Sequence, residues 1–316
     1  MSKFQHLSDS DADVSRAAGI LAQGGLVAFP TETVYGLGGD ARNDTAVARI
    51  FEAKGRPAFN PLIVHLPDLE AAREIAVFDH DAAALAQAFW PGPLTLVLPL
   101  RPDAGISPLV SAGLNTIAIR VPEHPLAVKL LNAFGGPVAG PSANTSGRIS
   151  PTRAQHVIDG LESRIDAVLD GGPCGVGLES TIIGFAPAPG LLRPGGLPAE
   201  AIEACLGTPL AGVTGTTETT PSAPGQLTSH YAPNAPVRLN VTTPEADETL
   251  LGFGHVEAAL NLSASGDLVE AAANLFHALR QLDASGVGKI AVSPVPEHGL
   301  GVAINDRLRR AAAPRD

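Results

Sequence analysis

The chain has 316 residues, 45% of them hydrophobic and 17% charged, which is ample material for a buried core and argues against a disordered chain. Its length points to two domains. A net charge of −11 argues against broad nucleic-acid binding, which needs a basic face, but leaves room for one local basic pocket.

The opening, "MSKFQHLSDSDADVSR", is polar and acidic and lacks the apolar centre of a signal peptide. No apolar run anywhere approaches the ~20 residues that span a bilayer, so a soluble, cytoplasmic protein with no membrane partner is expected. "DADVSRAAGILAQGG" has helical spacing at Val14, Ala18, Leu21 and Ala22 and is stopped by Gly24-Gly25. "LVAFPT" reads as a buried strand. "DTAVARIFEAKG" repeats the helical scheme, with Asn43 or Asp44 as cap, Val47, Ile50 and Phe51 on one face, and Gly55 as stop. Strands are predicted at "PLIVHL", "LTLVLPL", "TIAIRV", "GPVAGPSA", "IDAVLD" and "STIIGF", and helices at "DHDAAALAQAF", "HPLAVKLLNAF", "TRAQHVIDGLES" and "PAEAIEACLG". This alternation favours an α/β or mixed α+β domain over residues 1–206, built on one large sheet.

Composition then changes. Residues 207–235, rich in Thr, Pro, Gly and Ser without amphipathic period, read as a linker. In residues 236–316, "VEAALNLS", "DLVEAAANLFHALRQLDASG", "KIAVSPVP" and "GVAINDRLRRAA" give strand, helix, strand and helix: a small second α/β domain.

Four segments are denser in polar groups than a connection requires. "FPTETVYGLGGDA" (29–41) carries Thr31, Glu32, Thr33 and Tyr35 where a strand end can open into a crevice, or is a glycine-rich turn. In "KGRPAFNPLIVH" (54–65), a helix-to-strand corner explains Lys54 and Gly55 but not Arg56, Asn60 and His65; Lys and Arg together suit a polyphosphate. "PVAGPSANTSGRISPT" (137–152) offers Ser142, Asn144, Ser146 and Ser150 without bulk, and is not a Walker loop. "DGGPCGVGLESTIIGF" (170–185) with "LLRPGG" (191–196) brings Glu179-Ser180-Thr181 to a strand start and adds Arg193, either a phosphate contact or a surface ion pair. Cys174 has no His or carboxylate beside it and reads as structural. With two cysteines, no CxxC and no H-x-x-x-H pair, neither a disulfide framework nor a protein-built metal site is expected.

"PTETVYGLG", "KGRPAFNPLIVH", "WPGPLTLVL", "IAIRVPEHP", "PSANTSGRISPT", "ESTIIGF" and "LLRPGG" occur in this order, and together they resemble the YrdC-like family of threonylcarbamoyl-AMP synthases in its long two-domain form. The likeness covers nearly all of residues 14–206, and "SHYAPNAPV" resembles the family's interdomain segment. It implies a twisted mixed sheet with a concave, locally basic cavity, plus a small Rossmann-like C-terminal domain. It also implies a nucleotidyltransferase that converts L-threonine, bicarbonate (or CO2) and ATP to threonylcarbamoyl-AMP and pyrophosphate. A separate transferase complex would then carry the threonylcarbamoyl group to adenosine 37 of tRNAs reading A-starting codons. By matched positions, Thr33, His65, Arg120, Gly140 and Ser180 would hold threonine, its carboxylate on Arg120. Arg56, Asn60, Thr116, Ser142, Ser150, Arg193 and, from the linker, Tyr231 would contact ATP, with Lys54 on the phosphates; Lys54 and Arg56 are the candidate catalytic pair. Mg²⁺ would arrive with ATP, bound mainly through its phosphates. The chain departs from many long forms in having Gln226-Leu227-Thr228-Ser229 where they carry a Met-basic-Tyr-basic stretch.

Two other classes are weaker. An RNA-binding module of this fold is disfavoured by the acidic balance and the lack of interleaved aromatics, so no stable nucleic-acid binding is expected. A carbamoyltransferase of the hydrogenase-maturation type would need zinc-binding CxxC motifs.

Overall fold

Helices form where apolar spacing and caps agree. In the computed structural model, which describes residues 4–211 and 231–314, helix α1 (Asp11–Ala22) starts at Ser10, whose hydroxyl accepts from the Asp13 amide, and buries Val14, Ala17, Ala18 and Leu21. Helix α2 (Asp44–Lys54) is capped by Asn43 and ends on Gly55 at φ 59°, a left-handed residue that glycine adopts without steric cost. Helices α3 (Leu69–Arg73), α4 (His80–Phe89), α5 (Pro108–Ser111), α6 (Pro125–Phe134), α7 (Ala154–Leu161) and α8 (Ala199–Leu206) complete the first domain, with α9 (Leu268–Ala284) and α10 (Leu300–Ala312) in the second.

The first domain's strands are β1 (Gln5–Leu7), β2 (Val27–Phe29), β3 (Gly36–Asp40), β4 (Ile63–His65), β5 (Leu94–Pro99), β6 (Thr116–Arg120), β7 (Val138–Ala139), β8 (Ala167–Leu169), β9 (Thr181–Gly184) and β10 (Gly190–Arg193). They make one mixed sheet in the order β1-β8-β2-β3-β7-β4-β6-β5-β9-β10. Register places His65 opposite both Arg120 and Val138, and a bridge joins Gly36 to Ser142. The two-residue side-chain period then sorts the central strands: Leu62, Val64, Ile117 and Ile119 enter the main core, while Ile63 and Ala118 join Val97 and Ile182 on the other face. His65 and Arg120, two residues beyond Ile63 and Ala118, share that second face.

In the first domain β1, α3 and α5 carry no signal that the sequence reading used, and three predicted segments take another form. The glycines of "YGLGGD" form a central strand, β3, rather than a turn, because neighbouring side chains occupy the space their missing Cβ atoms leave. A Cβ on Gly38 would stand 3.0 Å from both Phe29 and Val138, and one on Gly39 3.1 Å from Ile50. The strand expected over "GPVAGPSA" shrinks to Val138–Ala139, and "LLRPGG" contributes strand β10.

The second domain is a four-stranded parallel sheet of β11 (Val237–Arg238), β12 (Glu248–Gly252), β13 (Leu260–Asn261) and β14 (Lys289–Val292), in the order β11-β14-β12-β13. Its core of Leu275, Phe276, Leu279 and Ile304 also takes in Val34, Ile149 and Leu178 of the first domain. The two domains therefore share a hydrophobic cluster beside the loops that carry the polar segments. Of the linker, residues 212–230 lie outside the described residues, including Gln226-Leu227-Thr228-Ser229. Among the described residues, no helix is long and apolar enough to cross a membrane.

Candidate active site

The second face of the sheet ends in a cavity whose wall includes Thr33, Arg56, His65, Arg120, Gly140, Ser142, Ser180, Arg193 and Tyr231. Nine side chains or backbone positions named from the sequence thus come together from seven separate stretches of chain.

Arg120, at the end of β6, anchors one end. Its Nη1 donates to Thr33 Oγ1 at 2.7 Å, its Nη2 to Glu32 Oε1 at 2.5 Å and its Nε to the Gly92 carbonyl at 3.3 Å. Glu32 Oε2 accepts from the Glu123 amide at 3.0 Å. The carboxylate balances the guanidinium from behind, leaving a neutralised but donor-rich corner suited to a small carboxylate. Beside it, burial first and the Arg120 charge second push His65 down to about 3, so its imidazole is neutral at physiological pH. Its Nδ1 is buried and, among the described residues, has no hydrogen-bond partner. Gly140 makes room there: a Cβ would lie 2.9 Å from that nitrogen. We expect His65 to show no protonation step between pH 5 and 8; constant imidazole ¹⁵N shifts across that range would verify this.

The other end is cationic. Arg193, ending β10, donates from Nη2 to the Ser180 carbonyl at 2.9 Å and to Ser180 Oγ at 3.1 Å, and that hydroxyl is 2.7 Å from Thr95 Oγ1. Arg56, just past the α2 cap, donates from Nη2 to the Pro61 carbonyl at 2.8 Å and from Nε to the Asn60 carbonyl at 3.2 Å. These two backbone carbonyls hold the guanidinium at the cavity wall. Burial, then the repulsion of Arg193, lowers Arg56 to about 10; burial likewise lowers Arg193 to about 10. Both stay charged at neutral pH. Two mutually repelling cations, Arg193 buried and Arg56 half-buried, form a receptor for a polyanion.

Four predicted residues stand off the wall. The Lys54 ammonium is fully buried and donates to the carbonyls of Ser142 and Asn144, the latter at 2.5 Å, while the Lys54 carbonyl accepts from the Ser146 amide at 2.8 Å. It clamps the 142–146 loop from behind. Ser150 is buried and donates its hydroxyl to Glu179. Asn60 supports Arg56 through its carbonyl, and Thr116 sits at the half-buried start of β6. Cys174 is buried and pushed up to about 12 by burial, and it is not on the wall.

Sequence reasoning passed over Glu179 as a site residue. It lines the cavity and is buried. Burial would raise its pKa, but the charges of Arg307 and Arg193 and the Ser150 hydroxyl hold it below the usual carboxylate value. Only its place between two polar motifs hinted at this. Among the described residues, no group of three or more His, Cys, Asp or Glu is placed to hold a metal.

Comparison with known proteins matches the chain to two family models. Residues 19–195 match the Sua5/YciO/YrdC family model, described as telomere recombination, and residues 197–313 match the Sua5 C-terminal model, described as the threonylcarbamoyl-AMP synthase C-terminal domain. The chain is 42% identical to the threonylcarbamoyl-AMP synthase of Bacillus subtilis, over 98% of this chain and 95% of that one. It is 43% identical to that of Pyrococcus abyssi, over 95% and 94%. The crystal structure of P. abyssi Sua5 complexed with L-threonine superposes with a TM-score of 0.90 at 40% identity, covering 98% of both chains. Escherichia coli YciO, 25% identical, covers 62% of this chain and 96% of its own with a TM-score of 0.55.

Proposed function

The chain belongs to the Sua5/YciO/YrdC family in its two-domain form, and from that premise we propose that it joins L-threonine, bicarbonate (or CO2) and ATP into threonylcarbamoyl-AMP and pyrophosphate. The single observation that carries this reading is the union, in one cavity, of a carboxylate corner (Arg120 with Thr33) and a polyanion corner (Arg56 with Arg193). The threonine bound to the related P. abyssi protein supports the first half.

In this reaction the threonine amine, having lost its ammonium proton, attacks the carbon of CO2, and a second proton leaves as the carbamate forms. A carbamate oxygen then attacks the α-phosphorus of ATP, and the bond to the β-phosphate oxygen breaks, releasing pyrophosphate. Both reactants are anionic, so the barrier falls chiefly by charge neutralisation and alignment. Arg120 and Thr33 would fix the threonine carboxylate, with Ser180, neutral His65 and the Gly140 backbone around the rest of the amino acid. Arg56 and Arg193 would meet the phosphates, with Ser142, Asn60, Thr116, Ser150 and Tyr231 shaping the nucleotide end. Lys54 would serve the phosphates through the loop it clamps. Glu179, the carboxylate in the cavity wall, is paired with Arg307, and Glu32 beside it with Arg120, so Mg²⁺ fits as a companion of ATP, held by the phosphates; bound there, it would offset charge on the leaving group. The enclosed wall would shield the labile carbamate from water, and the product would pass to a tRNA threonylcarbamoyl transferase complex.

Pyrophosphate release from ATP in bicarbonate buffer is expected to require threonine. Equal release without threonine would sink the reading.

A further inference from the structure

The last helix of the second domain sends one side chain into the wall of the first domain's cavity. Arg307, on α10, has no exposed surface. Its Nε donates to Glu179 Oε2 at 2.8 Å and its Nη1 to Asp306 Oδ2 at 2.7 Å, and its guanidinium lies 5.1 Å from the centre of the Tyr231 ring. Tyr231 also stacks on Phe276 of α9, with ring centres 5.4 Å apart. Its backbone is left-handed at φ 63°, a conformation that a bulky residue keeps only when its surroundings enforce it. Glu179 and Tyr231 both line the cavity, and the other Glu179 oxygen takes the Ser150 hydroxyl. A wholly buried guanidinium persists only where its partners repay the lost hydration, and here two of the partners are cavity wall. Among the described residues its Nη2 has no hydrogen-bond partner.

We propose that Arg307 is a positioning residue for the nucleotide half of the site, orienting Glu179 on Ser150 and holding Tyr231 by its ring face. This rests on the synthase reading above and assigns the second domain a part in forming the site.

Glu179 is faced by Arg307 from α10, Arg193 from β10, Lys54 from α2, and Tyr231 and the Ser150 hydroxyl from the intervening loops. Arg307 is the largest of the charges opposing its burial. With Arg307 present, Glu179 stays ionised until the pH falls below the usual carboxylate range. Without it, the buried carboxyl protonates at higher pH, and the Ser150 hydroxyl then faces a neutral, weaker acceptor.

The test is a cycle in the full-length protein: R307M, E179Q and the double variant, with thermal unfolding to confirm folding. R307M is expected to raise the KM for ATP about ten- to a hundredfold, the effect of misorienting one or two charge-assisted hydrogen bonds. The KM for threonine should change by less than about threefold, within the spread of sites that share no partner. The acid limb of kcat/KM for ATP should move to higher pH, and the double variant should be much less impaired than the product of the single effects. An unchanged ATP KM with an unmoved acid limb, or single effects that simply multiply, overturns the proposal. Should R307M fail to fold, R307K keeps the charge without the planar fork; an unchanged ATP KM in folded R307K overturns the proposal, and a raised one supports it. Calorimetric titration with ATP alone separates the two readings: wild type that binds ATP but needs no threonine for pyrophosphate release refutes the synthase reading, while the effect of Arg307 on ATP affinity is still measured.

Discussion

Replacing Arg120 by leucine is expected to abolish detectable threonine binding and to destabilise the fold by about 3–5 kcal/mol, the cost of stranding one member of a buried ion pair. Arg120 and Glu32 are only 3% and 8% exposed, so water cannot take over the carboxylate's lost partner. Glu32 would keep the Glu123 amide alone. The two effects separate in the double variant R120L/E32Q, which removes the stranded charge. Its urea midpoint should return most of the way to wild type, while threonine calorimetry should stay flat. Recovery of threonine affinity in the double variant would show that the carboxylate is read elsewhere.

Lys54→Met is expected to reduce kcat/KM for ATP at least about a hundredfold, equivalent to about 2.7 kcal/mol of transition-state stabilisation. Stability should change less. Two buried carbonyls lose their donor, at about 1–3 kcal/mol each. However, burial and the adjacent Arg56 hold the Lys54 ammonium well below its usual range, so deleting it also removes a disfavoured charge. The activity loss comes from the 142–146 loop, which Lys54 holds by its ammonium and by its own carbonyl. Amide exchange at Ser146 should therefore accelerate in K54M. A raised ATP KM with Ser146 exchange unchanged would mean that the ammonium meets the phosphates directly.

Much of the first domain was legible because its signals are local. Asn43 and Gly55 bound α2, and alternation in "PLIVHL" and "TIAIRV" puts His65 and Arg120 on one face. What the sequence hides is pairing at a distance. Glu32 and Arg120 are 88 residues apart and Glu179 and Arg307 128 apart, and nothing in either neighbourhood marks these charges as buried. Lys54 was legible as a last-turn cation, yet the loop folded over it makes it one of the largest fully buried side chains. Strand β3 was hidden for the opposite reason: glycine is poor in strands, and its use here depends on Phe29, Val138 and Ile50 arriving from elsewhere. In the second domain β11 and β12 were not anticipated, since two- to five-residue strands in a polar context leave little periodic signal.

The space beside His65 is kept by the missing side chain of Gly140, whose Cβ would come within 2.9 Å of the imidazole Nδ1. Volume obtained by absence can be taken away by any substitution but enlarged by none. The freedom to accept a different amino acid lies instead with Val34 and Ile63, which line the same cavity with side chains that can be trimmed. The enzyme's capacity to acquire new substrates is therefore lopsided: closed on the glycine side, open on the aliphatic one.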